Sequence, residues 1–188
     1  DIGISPFSSL TDICVSSDKI FLLDSEQSRV VILNGDYSLF ADYVNLGGET
    51  FTGAKGIYAA GDYFYVADTE NARVLVCSLS GEVVNKIVLP DSSLIPDNFK
   101  FKPTKVAVDS DGFTYILSDG SYYGAILYSP KGEFLGFYGS NTVTSSISAV
   151  LVSLWEKLTL TNEKRAKQTS KLPYQFTDLY IDKDNFIY

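Results

Sequence analysis

Histidine is absent from the 188-residue sequence, and cysteine occurs only at Cys14 and Cys77. Without histidine the chain lacks the commonest general base and the commonest transition-metal ligand, so His-based catalytic triads and His-ligated zinc sites are excluded. Two cysteines do not make a disulfide framework. Because both lie in alternating apolar runs, we expect them to be buried free thiols.

Long hydrophobic runs and positive charge are also scarce. No run of 18 apolar residues occurs, so we expect no direct membrane insertion by this segment. The formal net charge is −8, and an acidic surface repels both phosphate backbones and anionic lipid. We therefore expect no nucleic acid among the partners of this chain.

Aromatic residues are abundant instead, with 13 tyrosines and 12 phenylalanines, and this usage favours β structure. Four segments share a pattern of apolar alternation, a polar turn and renewed alternation, and a second hairpin follows in the first three. Each complete copy holds four strands within about 40–50 residues, which is typical of a β-propeller blade. The four segments begin at Ile13, Ile57, Val106 and Leu179.

The predicted fold class is therefore all-β, a β-propeller of four-stranded antiparallel blades with about three and a half blades present. A helical insertion is predicted at about 145–170, because apolar residues recur there at helical spacing. Trp155, the only tryptophan, is a candidate anchor for a partner on this helix. The predicted blades lie at about 10–44, 55–89 and 103–139, with an incomplete blade at 174–188.

The second copy carries the most specific motif, VADTENARVLVCSLSGEVV. It resembles the NHL repeat, in which a strand is followed by Asp-Thr-x-Asn-x-Arg-Val, a strand, a turn and a strand. The first copy keeps Asp24 and Arg29 of this motif, whereas the third copy has Ser118 in place of the aspartate. The matching residues of the second copy are Asp68, Thr69, Asn71, Arg73 and Val74.

This resemblance has implications for the size and location of the protein. NHL propellers have about six blades, so we expect a longer protein or a second chain to complete the arc, because an open arc exposes blade faces and strand edges. Residues 102–139 and the stretch after them resemble NHL proteins found outside the cytoplasm of Gram-positive bacteria. The resemblance thus implies an extracytoplasmic or cell-surface location in a bacterium.

The motif residues are expected to be structural. Asp24 and Asp68 end second strands, and Arg29 and Arg73 begin third strands. A carboxylate at this turn accepts backbone N–H groups and pairs bidentately with the guanidinium across the turn. With Asn71, these residues therefore form a predicted structural motif that carries no catalysis.

The long connections predict where function resides. Strands alternate in direction, so the connections between blades and the turns between second and third strands share one face, and function usually lies on such loops. We therefore predict a non-catalytic binding scaffold that recognises a protein, peptide or glycan on this face, because exposed tyrosines stack on sugars or pack on peptides. The candidate ligand-binding residues are Tyr122, Tyr123, Glu70, Asn71 and Trp155.

The alternative is an enzyme of the lactonase or hydrolase type. Propeller lactonases hold a calcium-like ion with Glu, Asn and Asp, and oxygen ligands are available in this chain. However, no clustered carboxylate motif and no G-x-S-x-G, C-x-x-C or phosphate-binding loop occurs. The sequence thus favours a binding role without metal or cofactor, and calcium belongs to the alternative.

Overall fold

The computed structural model describes residues 3–120, 122–139, 176–182 and 184–188. Twelve strands form three four-stranded antiparallel sheets, each with its strands in sequence order. The first sheet contains β1 (Leu10–Ser16), β2 (Lys19–Asp24), β3 (Arg29–Asn34) and β4 (Leu39–Tyr43). The second contains β5 (Gly56–Ala60), β6 (Tyr63–Asp68), β7 (Arg73–Ser78) and β8 (Val83–Val88). The third contains β9 (Pro103–Val108), β10 (Thr114–Ser118), β11 (Ala125–Tyr128) and β12 (Phe134–Tyr138).

A further hairpin follows the third sheet. Residues Ile181 and Ile187 form an antiparallel bridge, and Tyr180 and Tyr188 exchange backbone hydrogen bonds. The turn of this hairpin repeats the one before β10. Asp109 accepts hydrogen bonds from two turn N–H groups and from the Tyr115 hydroxyl, and Asp182 makes the equivalent set with Tyr188.

The three sheets fan out from their first strands. Strand β1 packs against β5, and β5 packs against β9. The approach of β5 to β9 requires a glycine at Gly56, because a Cβ atom there would lie 2.4 Å from the carbonyl oxygen of Thr104. The first strands thus form the inner edge of an arc, and β4, β8 and β12 form its outer edge.

Apolar cores lie between successive sheets. Phe21 and Ile32 of the first sheet meet Phe64 and Leu75 of the second, and every one of these side chains is buried. A second core joins the second and third sheets, and a third joins the third sheet to the terminal hairpin through Ile181. Each sheet is thus held by its sequence neighbours through buried apolar surface, the dominant favourable term in folding.

Tyrosine hydroxyls add hydrogen bonds between neighbouring sheets. The hydroxyl of Tyr43 donates to the carbonyl of Leu79 at 2.8 Å, and that of Tyr128 donates to Val88 at 3.0 Å. Burial raises the pKa of Tyr128 to about 12. Burial also raises the pKa of Tyr43, so burial favours the protonated form of both hydroxyls, which is the form that donates these hydrogen bonds.

The predicted all-β class and its four-stranded antiparallel sheets are confirmed. Their arrangement is propeller-like, but the described residues form an open arc rather than a closed ring. The predicted helical insertion at 145–170, including Trp155, lies outside the described residues. Among the residues that are described, no helix is long and apolar enough to cross a membrane.

Candidate functional site

The strand order divides the connections between two faces of the arc. One face, here called the turn face, carries the short turns β1–β2, β3–β4 and their equivalents in the other sheets. The opposite face, here called the loop face, carries the β2–β3, β6–β7 and β10–β11 connections. It also carries the segments between sheets, 44–55 and 89–102. Binding residues commonly lie on such long connections above a rigid scaffold.

One hydrogen bond recurs on the loop face of every sheet. The last residue of the second strand accepts a hydrogen bond from a backbone N–H located 16 residues earlier, in the segment that enters the sheet. The donors are Ser8, Thr52 and Lys102, and the acceptors are Asp24, Asp68 and the hydroxyl of Ser118, each at 2.8 Å. Although Ser118 departs from the motif, its hydroxyl thus accepts the same hydrogen bond in the third sheet as the aspartates accept in the first two.

A phenylalanine immediately precedes each of these donors. Phe51 and Phe101 are buried in the cores between sheets, and Phe7 packs on the outer face of the first sheet. Residues 5–9 therefore follow the path of a segment between sheets. Sequence reasoning missed this feature, although a phenylalanine 17 residues before Asp24, Asp68 and Ser118 is a signal that the sequence contains.

The predicted pairing of aspartate with arginine forms in only one of the two sheets, and there through one hydrogen bond rather than the expected two. Arg73 donates its Nε–H to Asp68 at 2.7 Å, and the amide of Asn71 also donates to this carboxylate. The expected pair of Asp24 with Arg29 is wrong, because Arg29 binds Asp42 of β4 through two hydrogen bonds of 2.7 Å.

The residue on the fourth strand explains the difference. The position of Asp42 in the first sheet is occupied in the second by Lys86, since Val31 pairs with Asp42 and its counterpart Leu75 pairs with Lys86. A lysine cannot accept a hydrogen bond from arginine. Arg73 therefore turns to Asp68 and to Glu49, which also binds Lys86.

The Arg73 network lines a shallow polar recess of about 560 Å³. Burial lowers the pKa of Arg73, but its hydrogen bonds with Asp68 and Glu49 raise it more. The pKa of Glu49 is lowered, first by its hydrogen bond with Lys86. The charges of this recess are thus paired with one another. The lining residues are Gly48, Glu49, Thr50, Thr52, Asn71 and Arg73.

An aromatic group stands on the loop face of the third sheet. Tyr123 of the β10–β11 connection contacts Phe137 of β12 at a ring-centroid distance of 5.5 Å and Phe99 of segment 89–102 at 6.3 Å. Phe99 and Phe137 contact each other at 5.8 Å. Tyr123 remains 44% exposed and its neighbour Tyr122 42% exposed. The group therefore presents the Tyr123 ring, which is held in place by packing, with the exposed Tyr122 as its neighbour in the chain.

A second recess, here called the axial recess, lies where the first strands begin on the loop face. Its volume is about 370 Å³. Lys55 contacts Asp119 at 3.4 Å across the recess, and Lys105 contacts Asp12 at 2.8 Å beside it. Sequence reasoning missed these residues, because they become neighbours only when separate sheets pack. The lining residues are Thr11, Lys55, Thr104, Lys105, Asp119, Phe176 and Thr177.

Metal binding and thiol chemistry find little support in the described residues. No group of three or more carboxylate or cysteine side chains that could hold a metal ion occurs among them. Both cysteines are free, Cys77 is buried and Cys14 is half-buried. Burial raises the pKa of Cys77 to about 12, so its thiol is protonated at neutral pH and is a poor nucleophile.

Comparison with known proteins shows similarity at the level of the fold. No family model matches the chain, and no curated protein matches it. Hydrazine synthase from Kuenenia stuttgartiensis superposes with a TM-score of 0.53 at 13% identity, over 73% of this chain and 39% of that one. A Bacteroides fragilis protein assigned as exported superposes with a TM-score of 0.53 at 12% identity, over 72% and 39%. The chain thus spans about two fifths of the length of these structures.

The structure places the predicted ligand-binding residues in two separate groups. Tyr123 belongs to the aromatic group, and Tyr122 is its exposed neighbour in the chain. Glu70 and Asn71 lie in the β6–β7 turn, where Glu70 contacts Lys102 at 3.6 Å and Asn71 holds Asp68. Of these four residues, only the two tyrosines offer exposed aromatic rings to a ligand.

Proposed function

We propose that this chain is a non-catalytic binding scaffold that recognises a protein, peptide or glycan through its loop face. The observation that supports this role is the aromatic group of Phe99, Tyr123 and Phe137, with the exposed Tyr122 beside it. Tyrosine supplies a large contact area and a hydroxyl for hydrogen bonding, and few of its torsions must be fixed on binding. Residues with these properties dominate the binding energy of many interfaces.

Packing within the aromatic group strengthens the argument. The ring of Tyr123 rests on two phenylalanines that come from different elements, the segment before β9 and strand β12. A ring held in this way has already lost part of its freedom, so less conformational entropy is lost when a ligand binds. A half-exposed surface tyrosine without such support offers no comparable advantage.

The finer parts of the proposal concern the family and the location. The in-register motifs around Asp24 and Asp68 support membership of the NHL-repeat family, with about six blades in the whole propeller. The similarity in fold to a Bacteroides fragilis protein assigned as exported supports an extracytoplasmic place in a bacterium. Trp155, which lies outside the described residues, stays a predicted anchor for a partner.

The test compares loop-face variants with a matched variant on the turn face. Tyr122→Ala and Tyr123→Ala remove the proposed contacts, and Tyr63→Ala serves as the control because Tyr63 is also 44% exposed but lies at the β5–β6 turn. A glycan array and a pull-down from bacterial culture fluid, followed by affinity measurement on the captured ligand, provide the readout.

We expect each loop-face variant to weaken binding about tenfold or more, as truncation of a central interface tyrosine does. The control is expected to bind like the parent chain. Binding that survives both loop-face changes, or that is lost only in Tyr63→Ala, would contradict the assignment of the loop face.

A further inference from the structure

We propose that the axial recess binds one neutral saccharide unit of a glycan. The inference rests on the proposed binding role of the loop face, and it concerns residues other than the aromatic group. The axial recess has a volume of about 370 Å³, which lies within the range of small-ligand sites. Neither composition nor motif pointed to these residues, which are brought together by the packing of the first strands.

Two bulges direct threonine side chains at the recess. Thr11 is the extra residue where β1 pairs with β2, and Thr104 is the extra residue where β9 pairs with β10. Both therefore depart from the regular ladder, and both line the recess. Bulges commonly re-aim a side chain next to a functional site.

The hydroxyl groups and charged groups provide alternating acceptors and donors. Thr11 donates its proton to the Ser25 hydroxyl at 2.6 Å or to the backbone carbonyl of Ser9, and Thr104 donates to the carbonyl of Leu117. The oxygen lone pairs of both threonines then remain as acceptors, whereas Lys55 and Lys105 are donors only. Sugar hydroxyl groups both donate and accept, so they match such a mixed set.

The charges around the recess favour a neutral ligand over an anionic one. Lys105 lies 2.8 Å from Asp12 and 3.7 Å from Asp178, and Lys55 lies 3.4 Å from Asp119. Each lysine is thus already opposed by a carboxylate. Since the whole chain is acidic, a polyanion would meet repulsion that a neutral sugar does not.

The remaining wall of the recess is apolar. Phe176 lines it and packs against the core between the third sheet and the terminal hairpin. An aromatic wall beside polar groups suits a pyranose, which presents an apolar C–H face together with hydroxyl edges. The Lys55–Asp119 pair is about half exposed on both sides, and such pairs are weak. A sugar hydroxyl can therefore replace either partner at low cost.

The experiment uses the full chain and defined oligosaccharides as probes. Cellohexaose, maltohexaose and xylohexaose represent neutral sugars, and an oligogalacturonate of the same length is the anionic comparison. The variants are Lys55→Gln and Thr104→Val. The matched control is Lys102→Gln, because Lys102 is also 46% exposed and also forms a long ion pair, with Glu70, but does not line the recess.

We expect at least one neutral hexasaccharide to bind in isothermal titration calorimetry, and the oligogalacturonate to bind more weakly. Each recess variant should lower the affinity for the sugar about tenfold, because the loss of one hydrogen bond to a charged or buried partner has an effect of about this size. The affinity of Lys102→Gln should stay within about twofold of that of the parent chain. Unchanged circular dichroism spectra and urea midpoints will show that the variants are folded.

Three results would overturn the proposal. The first is that no neutral probe binds at a concentration of about 10 mM, which corresponds to about the weakest affinity of interest. The second is that the anionic probe binds more tightly than the neutral probes. The third is that both recess variants bind with unchanged affinity. If binding is insensitive to Lys55→Gln and Thr104→Val but lost in Tyr122→Ala or Tyr123→Ala, the recess proposal fails and the proposed function stands. Sugar binding that depends on Lys55 but not on the tyrosines supports the recess and contradicts the assignment of the aromatic group.

Discussion

Replacement of Asp68 by alanine tests the hydrogen bond that recurs between each sheet and the segment entering it. The Asp68 side chain is fully buried and accepts hydrogen bonds from the N–H of Thr52, the amide of Asn71 and the guanidinium of Arg73. Alanine would leave the Thr52 N–H without this acceptor and would remove one of the two carboxylates that oppose Arg73.

The expected cost follows from these contacts. Removing one partner of a buried charged pair costs about 3–5 kcal/mol. Because Arg73 retains Glu49 and is 17% exposed, we expect the lower end, about 3 kcal/mol in the free energy of unfolding. For a chain of this length, that corresponds to a fall of about 6–12 °C in Tm. Asp68→Asn keeps one acceptor oxygen, so its cost is expected to be smaller, about 1.5 kcal/mol.

The assay is urea denaturation followed by far-ultraviolet circular dichroism, with thermal melts as a second measure. Glu70→Gln is the control, because Glu70 lies two residues away, is about half exposed and makes only a long contact with Lys102. Its effect should stay within about 0.5 kcal/mol. A cost below about 1 kcal/mol for Asp68→Ala would refute the view that this carboxylate stabilises the junction between segment and sheet.

Three further predictions concern packing and pH. Gly56→Ala should cost more than about 2 kcal/mol in urea denaturation, since its Cβ would clash with the Thr104 carbonyl. The same change at Gly35 should cost less, because a Cβ atom there would lie 3.3 Å from its nearest neighbour, the carbonyl oxygen of Asp18. Burial raises the pKa of Tyr128 to about 12, so its contribution to stability is complete below pH 10 and is lost between about pH 10 and 12. In urea midpoints measured at pH 8–11.5, Tyr128→Phe should therefore reduce this alkaline loss, and an unchanged slope would contradict the prediction. The pKa of Asp24 is lowered, because backbone N–H bonds outweigh the upward effect of burial. Its contribution is thus present above the usual aspartate pKa of about 4 and is lost as the pH falls further. In urea midpoints measured between about pH 2 and 6, Asp24→Asn should therefore flatten the loss of stability toward acid, and an unchanged slope would contradict the prediction.

The sheets were predictable because their signals are local. Alternating apolar residues bounded by Asp, Gly and Asn turns specify hairpins over short distances. The turns at Asp109 and Asp182 occupy equivalent positions in the repeat, and they make equivalent hydrogen bonds. The partner of an arginine was harder to predict, since it depends on whether the fourth strand supplies Asp42 or Lys86.

The sites were less predictable, because they form between elements that are distant in sequence. Tyr122 and Tyr123 could be proposed from their place in a long connection, but the support of Tyr123 by Phe99 and Phe137 depends on how segment 89–102 folds back on β12. The axial recess depends on the packing of three first strands. No local pattern marks Lys55 or Lys105 as neighbours of a common cavity.

We propose that this chain recognises its ligand on the loop face and not on the turn face. Hydrogen–deuterium exchange of the amides, measured with and without a ligand identified by the glycan array or the pull-down, tests it most directly. We expect slower exchange in the connections 44–55, 89–102 and 119–124 and no change at the turns 35–38, 79–82 and 129–133. Protection at those turns with none on the opposite face would contradict it.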